Sequence, residues 1–184
     1  MQSTIRYHRS HLHVYDAEWQ VLARKMWDIP ATDTRPVGIN IDAKYTKDYD
    51  DLNRDLYFRV GLRLEEYSDT KALLDRVPIQ NVVENVVIRP YRHQPQAELV
   101  TYLKEPLMIT QKAYYVFAHY LIAHLPGQIS EDGGQTWLTA KQYYQRHADV
   151  IELSGAEVRR ISLEQAGKTS LEEEPWDTPG VIWA

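Results

Sequence analysis

The segment Ser130-Glu131-Asp132-Gly133-Gly134-Gln135-Thr136-Trp137 constrains the fold of this 184-residue chain more than any other stretch. Two consecutive glycines can hold the positive φ angles that a tight hairpin turn needs and that other residues avoid. The Ser130 hydroxyl and the Asp132 carboxylate are short acceptors, placed to tie the backbone N–H groups of such a turn. Trp137 stands where the returning strand begins, and its indole can fold beneath the turn as a small core of its own. These residues predict a β-hairpin near 129–140 in which Ser130, Asp132, Gly134, Thr136 and Trp137 are structural parts.

The same eight residues fill every defined position of S-x-D-x-G-x-T-W, and the segment resembles the Asp-box. Asp-box hairpins recur on unrelated folds, sialidase-like propellers among them, usually away from the catalytic centre. The resemblance therefore implies shape rather than chemistry. The motif occurs once. A propeller repeats its motif blade after blade, so a single copy does not imply one.

Composition narrows the classes that remain. At 43% hydrophobic content the chain can bury one sizeable core, or one domain with an extension. No run of about eighteen apolar residues occurs, so no membrane span is expected. The opening stretch through Asp16 is polar and alternating, without the apolar run of a secretory signal. Together these lead to the expectation of a cytoplasmic or virion protein. The absence of cysteine excludes a disulfide framework, a thiolate nucleophile and a Cys-based zinc site. Thirteen Tyr and five Trp against two Phe favour amphipathic rings, which suit strands and also surfaces half buried against a partner. The net charge is −5, yet the residues before Glu164 carry only −1. A near-neutral body with an acidic tail argues against nucleic acid as a general partner.

Periodicity then gives the elements. Ile5 to Tyr15 alternates as a strand, with Ile5, Tyr7, His11 and His13 on one side. Asp16 is placed to cap a helix from Ala17 to about Asp28, with Val21, Leu22 and Met26 as its apolar stripe. Val37 to Tyr45 alternates again. The stretch 54–66 fits both templates: Leu52, Leu56, Val60 and Leu64 repeat at i+4, while Leu56, Phe58, Val60, Leu62 and Leu64 alternate with polar residues. Gly61 weakens a helix by about 1 kcal/mol, and the strand, paired with 37–45, is the better reading. A short helix from Ser68 or Asp69 to Val77 and strands at Val82–Arg89 and Leu99–Leu103 follow. Thr110 could cap an apolar helix from Gln111 to Leu125, closed by Pro126-Gly127, although a central strand over 111–125 fits the same hydrophobicity. After the hairpin, Thr139 opens a helix to about His147, Val150–Leu153 reads as a strand, and Gly155–Gln165 as a helix. The predicted fold is α+β, a mainly antiparallel sheet with flanking helices: one domain over 1–167 and an extended arm over 168–184.

Candidate chemistry is sparse. His8, His11 and His13 cluster, and on a strand His11 and His13 share a side and could share a metal. His119 and His124 lie about 140° apart on a helix and fit core or interface positions. The oxygen-rich run Asp48 to Asp55 invites calcium, but Leu56 and Leu62 occupy the positions of the turn glycine and the closing Glu. Gly167-Lys168-Thr169 ends like a phosphate-binding loop, yet Ser162 stands where its first glycine belongs. Arg89 and Arg92, with Tyr91 between them, form a small patch able to contact a phosphate or stack a base. Residues 136–147 loosely resemble the first helix of a helix-turn-helix, without a basic recognition helix after it. No G-x-S-x-G, H-E-x-x-H or G-x-G-x-x-G occurs, so no cofactor is expected and the chain reads as non-enzymatic.

The arm is more suggestive. Glu172, Glu173 and Glu174 keep it in water, Pro175 and Pro179 stiffen it, and Trp176, Val181, Ile182 and Trp183 are anchors without a core. Such a segment docks in a groove or adds a strand to a neighbour. The leading expectation is a structural subunit with protein partners, a homo-oligomer or part of a larger assembly, of the kind found as connector, tail or baseplate in phage particles. A metal-dependent hydrolase or nuclease using the N-terminal histidines is the alternative, and a nucleic-acid adaptor using Arg89, Tyr91 and Arg92 the second.

Overall fold

A computed structural model describes residues 1–8, 21–22, 24–25, 32, 39–42, 57–60, 86–90, 94–101 and 106–165. Seven strands are found among them, β1 (Gln2–Tyr7), β2 (Ile39–Asp42), β3 (Tyr57–Val60), β4 (Val86–Pro90), β5 (Gln96–Thr101), β6 (Gly127–Ser130) and β7 (Leu138–Thr139). Three helices follow the meander or its hairpin, α1 (Met108–His124), α2 (Ala140–Ile151) and α3 (Gly155–Gln165). The strands form one sheet in the order β2-β3-β4-β5-β1-β6-β7, with every pairing antiparallel. The fold class is thus α+β with a mainly antiparallel sheet.

The N-terminal strand closes this sheet from the inside. β1 pairs with β5 on one side, Ile5 opposite Ala97, and with β6 on the other, Ile5 opposite Ile129. It joins the β2–β5 meander to the β6–β7 hairpin, and the Met1 amino group donates to Thr101 Oγ1 at 2.8 Å. Strand alternation sends Ser3, Ile5 and Tyr7 inward with Val86, Ile88, Ala97, Leu99 and Ile129. α1 lies on that face against β1, β4, β5 and β6, with α2 and α3 packed on it in turn. Its near-uniform hydrophobicity follows, since Tyr114, Phe117, Ala118 and Leu121 are buried from different sides. Each fully buried large apolar side chain contributes about 1.5–3 kcal/mol, so this one helix carries much of the core. Buried Tyr114 also needs a polar outlet: its hydroxyl donates to Leu99 O at 3.0 Å and lies 2.6 Å from the Ser3 hydroxyl, which can donate to it in turn.

Several expectations shift. The first strand begins at Gln2 rather than Ile5, because its inward side is already set by Ser3. Residues 21–22 and 24–25 are helical as expected, but Val21 is 68% exposed and only Leu22 of the two points inward. The ambiguous stretch 54–66 contains strand β3, paired with β2 so that Ile39 faces Val60. The stretch 111–124 is helical with Leu125 as its C-cap, and the helix starts at Met108, leaving Thr110 buried within it rather than capping it. Residues 150–153 are not a strand. α2 runs to Ile151, and Glu152 and Leu153 bond back to Ala148 O and Val150 O. The Lys112 ammonium then takes Leu153 O at 2.6 Å, tying this corner to α1. The expected helix at 68–77, the oxygen-rich run 48–55 and the arm 168–184 lie outside the described residues. Among the described residues no helix is long and apolar enough to cross a membrane.

Candidate functional site

The turn between β6 and β7 brings together all five residues singled out there. Ser130 Oγ donates to Asp132 Oδ1 at 2.7 Å and accepts from Gly134 N–H at 2.8 Å. Asp132 Oδ1 accepts from Thr136 N–H at 2.8 Å. Gly133 and Gly134 have φ of +71° and +91°, which β-carbon-bearing residues adopt only at a cost. The Thr136 backbone bond, then the Ser130 hydroxyl, pull the Asp132 carboxyl down to about 2. Trp137 is half buried, with Gly134 close by and the Arg6 guanidinium 4.1 Å over its ring. Arg6 also donates to Gln128, so this side of the sheet is a chain of polar and cation–π contacts. Ser130 and Asp132 are thus spent on the turn itself, and Trp137 faces the neighbouring strand through Arg6.

Of the remaining sequence candidates, Arg89 lies on β4 opposite Glu98, while His11, His13, Arg92, Trp176, Val181, Ile182 and Trp183 lie outside the described residues. Among the described residues no group of three or more His, Asp or Glu is placed to hold a metal ion.

The structure draws attention instead to Tyr-x-x-x-His, which occurs three times on helices: Tyr115 with His119, Tyr120 with His124, and Tyr143 with His147. Residues four apart share a helix face, so each tyrosine has an imidazole one turn above it. Packing of α2 on α1 then pairs rings between helices. Tyr115 stacks on His147 at 3.9 Å and 15°, and His119 meets Tyr144 at 5.2 Å. Tyr120 stacks on His124 at 3.8 Å, with His124 Nδ1 2.8 Å from Tyr120 O. Tyr115, His119, Tyr120, Tyr144 and His147 are half buried and His124 is exposed. The result is a strip of paired aromatic and imidazole rings along the outer side of the helical layer. His124 is thus a surface group rather than a core one.

The inner end of this strip is polar. His147 Nε2 stands 2.9 Å from Glu131 Oε1, and Arg146 reaches Glu131 Oε2 at 3.4 Å. The first is a close contact without the alignment of a hydrogen bond. Burial pushes the Glu131 carboxyl up, but the His147 imidazole and the Arg146 guanidinium outweigh it and hold the group below its ordinary value. Burial raises Tyr115, with Glu131 and Asp149 adding to it. Tyr143 is raised well above the usual tyrosine range by burial and by Tyr114, Glu131 and Tyr115, and its hydroxyl is buried with no hydrogen-bond partner among the described residues. His119 is shifted the other way, lowered by burial and by Lys25 and His124. Rings that are rigid, amphipathic and half exposed offer contact area at little cost in side-chain freedom, which suits a protein-binding surface. The repeated Tyr-x-x-x-His spacing was the sequence signal for this strip. Comparison with protein-family models, with curated proteins and with solved structures gives no match.

Proposed function

We propose that the chain is a non-enzymatic structural subunit that self-associates or joins neighbouring subunits of a larger assembly, of the phage connector, tail or baseplate kind. The observation that carries the proposal is the strip of paired Tyr and His rings, since half-exposed aromatic anchors are what protein interfaces concentrate. In this reading residues 1–167 form the body, the Ser130–Trp137 turn is an Asp-box-type hairpin that stiffens its edge, and the arm over 168–184 supplies Trp176, Val181, Ile182 and Trp183 to a neighbour. The phage setting is an analogy from size, lack of cysteine and the single hairpin motif.

Native mass spectrometry of the purified chain tests it. A defined oligomer is expected, weakened at unchanged melting temperature by Tyr120→Ser with His124→Ser and by deletion of residues 170–184. A monomer, or an oligomer that survives both changes, overturns the reading.

A further inference from the structure

We infer that the contact between Glu131 and His147 is a proton-operated clasp joining the β6–β7 turn to α2. Three geometric facts meet at His147. It is the one residue inside α2 with non-helical backbone angles, φ −114° and ψ 16°, so the helix bends where this side chain is held. Its ring is stacked on Tyr115 of α1 and tilted against Tyr143 at 4.7 Å. Its Nε2 meets a carboxylate from the turn, Glu131 standing between Ser130 and Asp132, which organise that turn. One imidazole thus links α1, α2 and the hairpin.

Imidazole is the side chain whose charge ordinarily changes between about pH 5 and 8. Protonated, His147 presents a cation to Glu131 and to the Tyr115 face, and both contacts strengthen. Neutral, it loses the charge attraction, and Glu131 is left with Arg146, whose half-exposed side chain is screened by solvent. The other groups facing the pair are the hydroxyls of Tyr115 and Tyr143, with Tyr114 behind them, the exposed Asp132 beside Glu131 on the turn, and Asp149 acting on Tyr115. The phenols are raised and Asp132 is depressed, which moves their own titrations away from the range between about pH 5 and 8. Glu131 sets the acid limit. Its carboxyl is depressed in the folded chain, so its contribution is present above the ordinary carboxylate range and lost as pH falls through the lower folded value. The clasp holds fully with His147 protonated and Glu131 ionised, and loses its charge attraction when either changes. It does not depend on the assembly reading: native mass spectrometry decides that one, and resonances of the isolated chain decide this one.

The test is an NMR titration of the full chain between pH 5 and 8, following histidine ring resonances together with the backbone amides of 131–134 and 148–151. In the unaltered protein both amide groups should follow the His147 ring with a common midpoint. In Glu131→Gln the excursion of the turn amides should fall several-fold. In His147→Gln, which keeps an amide donor but cannot titrate, both amide groups should be flat over this range. Turn amides that ignore pH in the unaltered protein, an undiminished turn excursion in Glu131→Gln, or a titration that persists in His147→Gln would each overturn the clasp.

Discussion

The Ser130–Trp137 turn and the first turn of α1 solve the same problem, orphan backbone N–H groups, in opposite ways. In the turn the acceptors come from two and four residues away, Ser130 Oγ accepting from the Asp132 and Gly134 N–H groups and Asp132 Oδ1 from the Thr136 N–H. At the start of α1 no local side chain caps the helix. Met108 N–H donates to Gln165 Oε1 at 2.8 Å and Ile109 N–H to Ser162 Oγ at 2.9 Å, across 57 and 53 residues. The first device forms as soon as eight residues meet; the second exists only when α3 has docked on α1. A local cap stabilises a corner, whereas a borrowed cap makes the stability of one helix depend on the position of another.

The largest effect should come from breaking the borrowed cap. Ser162 is fully buried, accepting from Ile109 N–H while donating to Val158 O at 2.7 Å. Ser162→Ala leaves the Ile109 N–H buried without its acceptor, which costs about 1–3 kcal/mol. Urea unfolding should show that loss across the whole transition, with faster amide exchange at both Met108 and Ile109. A change confined to α3, with α1 protection intact, would show that the helix start is held locally after all.

This difference also explains what could be read in advance. The hairpin was legible because its parts are adjacent in the chain. The capping box of α2, Thr139 with Gln142, lies within four residues, and Thr139 was legible as the opening of that helix for the same reason. The start of α1 was not, because Thr110 looks like a cap to anyone who cannot see Ser162 and Gln165 arriving from α3. The end of α2 was half legible: the chain does leave helical geometry at His147, but stacking on Tyr115 and the contact with Glu131 hold the bend, and the helix resumes to Ile151. Strand β3 was legible because Gly61 and strict alternation both spoke against a helix. The Tyr–His strip was visible as a spacing and invisible as a surface. On a helix as apolar as α1, only the placement of the sheet and α2 decides which side faces out.

The turn can be challenged on its own terms, with a smaller expected effect. Gly134→Ala places a Cβ 3.7 Å from Trp137 Cζ2, an ordinary contact, so space is not the obstacle. The obstacle is φ of +91°, and holding an L-residue near the left-handed region costs about 1–2 kcal/mol. The loss should appear as faster exchange of the Thr136 and Gly134-position amides, with α1 protection unchanged. Gly134→Asn should recover part of it, since asparagine tolerates positive φ better than alanine. Equal loss of protection in α1 would erase the distinction between the two devices.

The smallest effect sharpens the comparison by pH. Asp132 is fully exposed, yet its carboxyl is pulled to about 2 by the Thr136 N–H and the Ser130 hydroxyl, because both bonds are stronger to the ionised form. A depressed acid contributes stability above its unfolded value, near 3.8, and that contribution is lost as pH falls through about 2. Acidification from pH 4 to pH 2 should therefore loosen the Thr136 amide first, while the Ile109 amide, bonded to a hydroxyl that does not titrate, keeps its protection until the fold as a whole gives way. Amide exchange at stepped pH measures both positions in one sample. Asp132→Asn should flatten the Thr136 response and leave Ile109 untouched; simultaneous loss at both positions in the unaltered protein would mean that the turn and the helix start are one cooperative unit, and that the locality of the turn's bonds gives it no independence.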